Sequence, residues 1–319
     1  MKNYKRHTHN TQNTTAAPSR RFSYTSYHSE PGQESRSPKE KSAKKIRRQR
    51  KSFPLPSVII LAVILTGCLV FPFITSKDPA CMNLDHTSVP PNSRFFFGTD
   101  TLGRDIFSMI WSGGRVSLTI GLLSAAISAL SAVILGSVSG LASRRTDALL
   151  MRFTDLFLSV PGLLLIVFLQ AILGEATVLS LSLVIGLTGW PVMARVVRAE
   201  TLRLRTAGYV IASRAAGAGF FYILRRHLIP GFLPSILFMA IMNIRSAVVS
   251  EATLSFMGLG LPLETVSWGS MLSLAQQALA ASCWWIILIP GLFLIVTLLC
   301  VTDIGNYLRK NTDRRYSNL

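Results

Sequence analysis

The sequence predicts an all-α integral membrane protein with six transmembrane helices. Half of its 319 residues are hydrophobic, only 15% are charged, and the mean hydropathy is +0.42. The apolar residues gather in runs of about 20, the length that crosses a bilayer as a helix. Composition and run length together exclude an ordinary soluble domain.

Six apolar runs are assigned as spans, over residues 57–75, 116–141, 150–173, 177–197, 233–257 and 285–304. Pro161, Pro191 and Pro290 fall inside the third, fourth and sixth runs. A membrane bundle tolerates such kinks because neighbouring groups satisfy the freed carbonyls. We therefore expect a transmembrane domain over residues 57–308, preceded by a tail of residues 1–56 and followed by a C-terminal tail of residues 309–319.

The net charge of +18 is concentrated before the first span. Residues 1–56 contain 14 Lys and Arg against three Glu, which gives this segment +11 of the total. Its Ser-, Thr- and Asn-rich composition predicts disorder. A basic segment beside a span is typical of a cytoplasmic tail and is attracted to anionic lipid, so we expect a bilayer contact rather than nucleic-acid binding.

The loop charges predict that both termini are cytoplasmic. Arg144, Arg145 and a basic cluster beyond residue 197 fall in loops on the same side as the tail. The opposite loops 174–176 and 258–284 contain no Lys or Arg. Cytoplasmic loops carry the excess of basic residues, which sets this orientation.

The longest polar interruption between spans runs from Arg198 to Pro234. It contains six Arg and a single acid, Glu200. This composition predicts a cytoplasmic docking surface, with an ordinary basic loop as the alternative. Small residues would let the segment enter a cleft on another protein, with Tyr209 and Val210 as apolar anchors and Arg214 as a polar contact. Pro230 is expected to restart the chain toward the fifth span.

Two further patterns flank the spans. The segment Phe97–Asp105 reads FGTDTLGRD, in which two Gly and two Asp surround one Arg, so it predicts a turn-rich loop with an Asp–Arg contact. The segment Glu251–Gly260 reads EATLSFMGLG, and Trp268-Gly269 follows it.

These motifs, with ASRAAG at residues 212–217 and HLIP at residues 227–230, resemble the permeases of the dipeptide, oligopeptide and nickel ABC importers. The resemblance covers about residues 55–310 and implies a type I ABC importer permease fold. Two departures are Ile211, where the family usually has an acid, and Gly231, where an Asn often follows the Leu-Pro pair. The outer motif residues are Gly98, Thr99, Asp100, Gly103, Arg104 and Asp105.

The resemblance also implies a coupling loop near residues 198–233 that sits in a partner ATPase. The residues that it assigns to this contact are Ala207, Gly208, Tyr209, Ala212, Ser213, Arg214, Gly217, His227 and Pro230. The implied partners are a homologous second permease, two cytoplasmic ATP-binding subunits and an extracytoplasmic solute-binding protein. The chain would then be a permease of an ATP-driven importer in the bacterial inner membrane, for peptides or for nickel or a metal chelate.

Catalytic and cofactor signals are not found in the sequence. It contains no GxxxxGK[ST] phosphate-binding loop, no metal-binding His/Glu helix and no Ser-His-Asp arrangement. We therefore expect no enzyme activity, no cofactor and no metal site in this chain, and ATP hydrolysis by its partners. The alternatives are a secondary transporter or channel that works without an ATPase, and a membrane-tethered nucleic-acid binder.

Charged residues inside the spans are candidates for the transport pathway. Arg245 and Glu251 lie in the fifth span, where each must face protein or water. Their spacing places them about 120° apart on the helix, so they are not expected to pair. Pathway lining and burial against a neighbouring helix stay equal interpretations. Arg152 and Asp155 are expected to pair, and a disulfide between Cys81 and Cys283 stays open.

Overall fold

The computed structural model describes residues 53–74, 78–262, 264–280 and 282–317. Nearly all of the predicted 1–56 tail lies outside these ranges. The described chain forms helices, with a short 3₁₀ turn at Leu84–His86 and a single β-bridge between Thr99 and Asp105. The helices are α1 Leu55–Ile74, α2 Ile106–Leu141, α3 Arg144–Ser159, α4 Gly162–Leu173, α5 Val178–Leu204, α6 Gly208–Ala215, α7 Phe220–Phe256, α8 Trp268–Ser273, α9 Ala275–Ala280 and α10 Trp285–Ser317.

The prediction of an all-α membrane protein is confirmed. In the described ranges α2, α5, α7 and α10 are each long and apolar enough to cross a bilayer, and α1 adds a shorter apolar stretch over Leu55–Phe71. The third predicted span is not one kinked helix, because α3 and α4 meet at an angle of 93°. Val160 before Pro161 is extended, since a proline ring disfavours helical geometry in the preceding residue.

Two further predictions from the sequence are also wrong. Helix α2 begins at Ile106, ten residues before the predicted start at 116, because Asp105 caps it by accepting from the Phe107 amide. Pro230 does not restart the chain: α7 continues through it, with a π-helical turn at Leu224–Leu228 that widens the helix just before the proline ring. Helix α10 extends to Ser317, into the predicted C-terminal tail.

We call the end of the bundle with the α1–α2 connection the outer end, and the end with the α5–α6 connection the inner end. Between them, α2 and α5 pack with their backbones close together. Ser124 Oγ donates to the Ser182 carbonyl at 3.1 Å, and Ser128 Oγ donates to the Gly186 carbonyl at 2.7 Å. Membrane helices associate through small residues in this way, because lipid supplies no hydrophobic force between them.

Ion pairs fix the inner end of the bundle. Arg198 donates to both carboxylate oxygens of Asp147 at 2.5 Å, and Ser139 Oγ donates to the same carboxylate. Asp155 pairs with Arg195 of α5 instead of the expected Arg152, because its side chain turns toward the neighbouring helix. Helices α2, α3 and α5 are therefore joined at this end.

The α2–α5 contact predicts the effect of a single added methyl group. A Cβ built on Gly136 would lie 2.6 Å from the Ala194 carbonyl oxygen, whereas one on Gly291 of α10 would meet nothing within 4 Å. Gly136→Ala should therefore destabilise the folded protein by about 1–3 kcal/mol through overpacking. The thermal unfolding midpoint in detergent measures this, with Gly291→Ala as the matched control. Equal midpoints for the two variants would contradict the close packing.

Candidate functional site

The α5–α6–α7 connection forms a compact unit at the inner end. Helix α6 ends in a Schellman motif, in which the Ala218 amide donates to the Ser213 carbonyl at 3.0 Å and the Gly217 amide to the Arg214 carbonyl at 2.9 Å. Gly217 adopts a φ of +83°, a left-handed conformation that favours glycine. The motif reverses the chain and directs it into α7.

His227 fastens α6 to the first turns of α7. Its Nε2 lies 2.8 Å from Ser213 Oγ, and its ring centre lies 5.5 Å from that of Tyr209 and 5.9 Å from that of Tyr222. At the other end of the connection, Arg205 donates to the Gly140 carbonyl at 3.0 Å. The connection is therefore held by hydrogen bonds to both α2 and α7.

The apolar side of α6 belongs to the protein's own core. Val210 is fully buried and lies in a cluster with Ile223, Leu228 and Phe232. The expectation that Val210 anchors a partner is therefore wrong, because its side chain is used inside the chain. Its neighbour Tyr209 remains half exposed and can still contact a partner.

The surface that remains free combines apolar and basic groups. Phe221 is 82% exposed, and of the predicted contact residues Ala212, Arg214 and Gly217 are exposed while Ser213 and His227 are partly buried. The exposed apolar residues Ile211, Phe221 and Tyr222 were not among the predicted contact residues. The sequence signal that could have predicted them is the occurrence of large apolar residues in a basic segment outside the predicted spans. We define the coupling surface as the exposed side chains of Tyr209, Ile211, Ala212, Arg214, Phe221 and Tyr222.

The outer motif contains the expected Asp–Arg contact. Arg104 Nε donates to Asp100 Oδ2 at 2.7 Å with both side chains 2% exposed, and Asp100 Oδ1 accepts from the amides of Leu102 and Arg104. Gly98 and Gly103 have φ of +76° and +74°, and a Cβ on Gly103 would lie 1.8 Å from the Asn83 carbonyl oxygen. Glycine is therefore required at this turn by both conformation and space.

The same motif joins the outer loop to two helices. Thr99 Oγ1 donates to the His86 carbonyl at 2.5 Å, and the Trp285 indole of α10 donates to the Thr99 carbonyl at 3.1 Å. Asp105 caps α2 and accepts from Ser108 Oγ at 2.7 Å. Through these contacts the motif residues hold the outer loop against α2 and α10, which is a structural role.

Glu251 lies at the centre of a buried polar network at the outer end. Its carboxyl group accepts hydrogen bonds from Ser117 of α2 at 3.0 Å, from Ser255 at 3.0 Å and from Ser267 at 2.7 Å. Ser267 also caps α8. Glu251 is fully buried in its own chain, which favours the burial interpretation over pathway lining.

Arg245 differs from Glu251, because its side chain is exposed and pairs with no described residue.

Two other features bear on possible sites, a pair of cysteines and the metal-ligating residue types. Cys81 and Cys283 form no disulfide with each other. Among the described residues no group of three or more His, Cys, Asp or Glu is placed to hold a metal ion.

The network predicts different results for two substitutions at Glu251. Glu251→Ala removes the acceptor of three hydroxyl groups, so it should lower the free energy of unfolding by about 3 kcal/mol at ~1 kcal/mol per hydrogen bond. Glu251→Gln keeps the shape and an acceptor oxygen, so its effect should be mild. Thermal unfolding in detergent checks both, with Thr253→Ala as a control that removes only a bond to the Val249 carbonyl. Normal stability of Glu251→Ala together with loss of transport in Glu251→Gln would favour the pathway interpretation instead.

Comparisons with known proteins connect this architecture to a family. Residues 132–317 match the family described as binding-protein-dependent transport system inner membrane component. The oligopeptide transport system permease protein OppC of Bacillus subtilis is 34% identical over 268 residues, which are 84% of this chain and 87% of the relative. A putative peptide transport system permease protein of Brucella suis is 38% identical over 285 residues, which are 88% and 93% of the two chains.

Structural comparison gives the same fold. An inward-facing structure of the MetNI methionine ABC transporter matches with a TM-score of 0.52 and 19% identity, over 63% of this chain and 95% of the other. This likeness confirms the type I ABC importer permease fold that the sequence motifs implied. The family match covers more than half of the chain, and the two relatives align with most of its length. The chain therefore belongs to the binding-protein-dependent transport system inner membrane components, as the permease subunit of such a system.

Proposed function

We propose that this permease works with two cytoplasmic ATP-binding subunits, a homologous second permease and an extracytoplasmic solute-binding protein to import peptides. The coupling surface is the observation that carries the proposal. It places exposed aromatic and aliphatic side chains beside Arg214, on α6 and on the first turn of α7. Exposed apolar groups of this kind mark protein contacts, and aromatic and Arg residues dominate their binding energy.

The attachments of α6 explain how a movement of the ATP-binding subunits would reach the membrane. Helix α6 is fixed to α7 through the Ser213–His227 hydrogen bond and through the buried Val210. The Arg205 bond to the Gly140 carbonyl fixes the end of α5 to α2. Closure of the ATP-binding subunits would therefore displace α6 together with these long helices. The energy source lies in the partner subunits, and this chain is the non-catalytic part.

The substrate class rests on the relatives. The Bacillus relatives are permease proteins of oligopeptide and dipeptide transport systems, the latter 30% identical over 84% of this chain. Peptides are accordingly the proposed cargo, and nickel or a metal chelate is the alternative that the sequence resemblance kept open. ATP-driven uptake by the reconstituted transporter separates the two cargoes, and uptake without the ATP-binding subunits would contradict the proposal.

A substitution on the coupling surface tests the docking directly. Phe221→Asp places a charge where an apolar contact is proposed, so it should weaken binding of the ATP-binding subunits at least ~30-fold, as for a hot-spot residue. The exposed Phe221 side chain makes few contacts in its own chain, so the fold should persist. Co-purification from detergent and ATP-driven uptake would be measured together.

Leu84→Asp is the matched control for that experiment. Leu84 is 75% exposed but lies at the outer end, so the same change there should leave the ATP-binding subunits bound. Full co-purification of the Phe221→Asp variant would show that these subunits dock elsewhere.

We also propose that the chain lies in a bacterial inner membrane with both termini, including the 1–56 tail, in the cytoplasm. In a cysteine-free background, Leu84→Cys should react with an impermeant thiol reagent from outside, and Phe221→Cys only after the membrane is opened. The reverse pattern would contradict the orientation.

A further inference from the structure

Arg245 lies near the middle of the membrane-spanning part of α7. Twelve residues separate it from either bound of the predicted span 233–257, which is ~18 Å of helix in each direction. A hydrocarbon core of ~30 Å places the middle of this span at its centre. A charge at that depth is costly in lipid, so the exposed Arg245 side chain must face protein or water.

The surface around Arg245 is polar on one side of the helix. Ser246 is exposed, and Ser250 and Thr253 are partly exposed. At 100° per residue these three lie within about 60° of one another, and the exposed Val249 lies between them and Arg245 around the helix. The other flank of α7 carries Val248 and Glu251, both buried inside the chain's own bundle. Arg245, Ser246, Ser250 and Thr253 therefore lie on the side of α7 that points away from the bundle. The Thr253 hydroxyl donates to the Val249 carbonyl, whereas the Ser246 and Ser250 hydroxyl groups fit a wetted wall better than a lipid contact.

We propose that Arg245 is a mid-membrane binding position for the carboxylate of the passing solute. This inference rests on the proposed function, in which a second permease would close a shared pathway over the exposed face of α7. Guanidinium is planar and binds carboxylates through two parallel hydrogen bonds. Every unmodified peptide carries a carboxylate at its C-terminus, so this chemistry suits the proposed cargo.

The isolation of Arg245 favours a transient ligand. Asp147, Asp155 and Asp100 of this chain each hold an arginine in an ion pair, whereas no described carboxylate lies within 4.0 Å of the Arg245 guanidinium. A single mobile cation on a hydrated wall attracts an anion and still releases it, which transport requires.

The test uses the complete transporter in proteoliposomes, with its binding protein outside and ATP available to the ATP-binding subunits. The probes are trialanine and trialanine amide, which differ only at the C-terminal carboxylate. Arg245→Gln should lower the initial uptake rate of the acid about tenfold, as for loss of one charge-assisted bond. Uptake of the amide should change less than about twofold, since it makes no such bond. The binding protein is the same throughout, so its own preference cancels when the acid-to-amide ratio is compared between variants.

Two further variants give the inference its controls. Val249→Gln places the same neutral amide one turn away on the exposed face, and it should leave the acid-to-amide ratio unchanged. Arg245→Lys keeps the charge without the planar fork and should recover part of the acid uptake. An unchanged ratio in Arg245→Gln, or an equal fall for both probes with loss of co-purified second permease, would overturn the inference. The second result would identify Arg245 as a contact between permeases. Failure of the unmodified transporter to import either probe with ATP would overturn the proposed function as well.

Discussion

The close approach of α2 to α5 is the contact on which the rest of the structure depends. Helix α2 is 36 residues long, or about 54 Å, so it reaches from the outer end to the inner end. At the outer end Ser117 holds the Glu251 carboxyl group, and at the inner end Ser139 holds Asp147. Between them small residues let the α5 backbone approach, so the polar contacts at both ends are fixed to one rigid unit.

Polar groups at the outer and inner ends of the bundle have different roles because they differ in burial. At the outer end Glu251 and the Asp100–Arg104 pair are buried and fully engaged, so they shape the connection between helices. At the inner end the Arg205–Gly140 and Ser213–His227 hydrogen bonds hold the α6 connection in place, and the Tyr209 and Arg214 side chains of α6 remain exposed. We propose that a partner moves the inner end, and α7 runs from that end to the Glu251 network.

The fold class was predictable because the bilayer thickness sets the length of each apolar run, and each run can be recognised in the sequence without reference to the others. The wrong predictions of helix ends, ion-pair partners and burial have local causes that the hydropathy of the sequence does not show. Pro161 separates α3 from α4, whereas Pro230 is accommodated by a π-helical turn, and no sequence rule distinguishes the two cases. The Asp155–Arg195 pair depends on how helices pack, so spacing along one helix favoured the wrong partner. Burial likewise decided that Val210 serves the core and that Glu251 is enclosed, while Ile211 and Phe221 remain on the surface.

The central claim is that the inner-end connection receives its movement from an ATP-binding subunit. Site-specific photocrosslinking from position 211 tests it most directly, because Ile211 is exposed on α6 beside Arg214. A photoreactive residue placed there in the complete transporter should crosslink to an ATP-binding subunit, and the crosslink should change in yield when ATP is added. Crosslinks only to lipid or to the second permease, in a transporter that still imports peptide, would contradict the account.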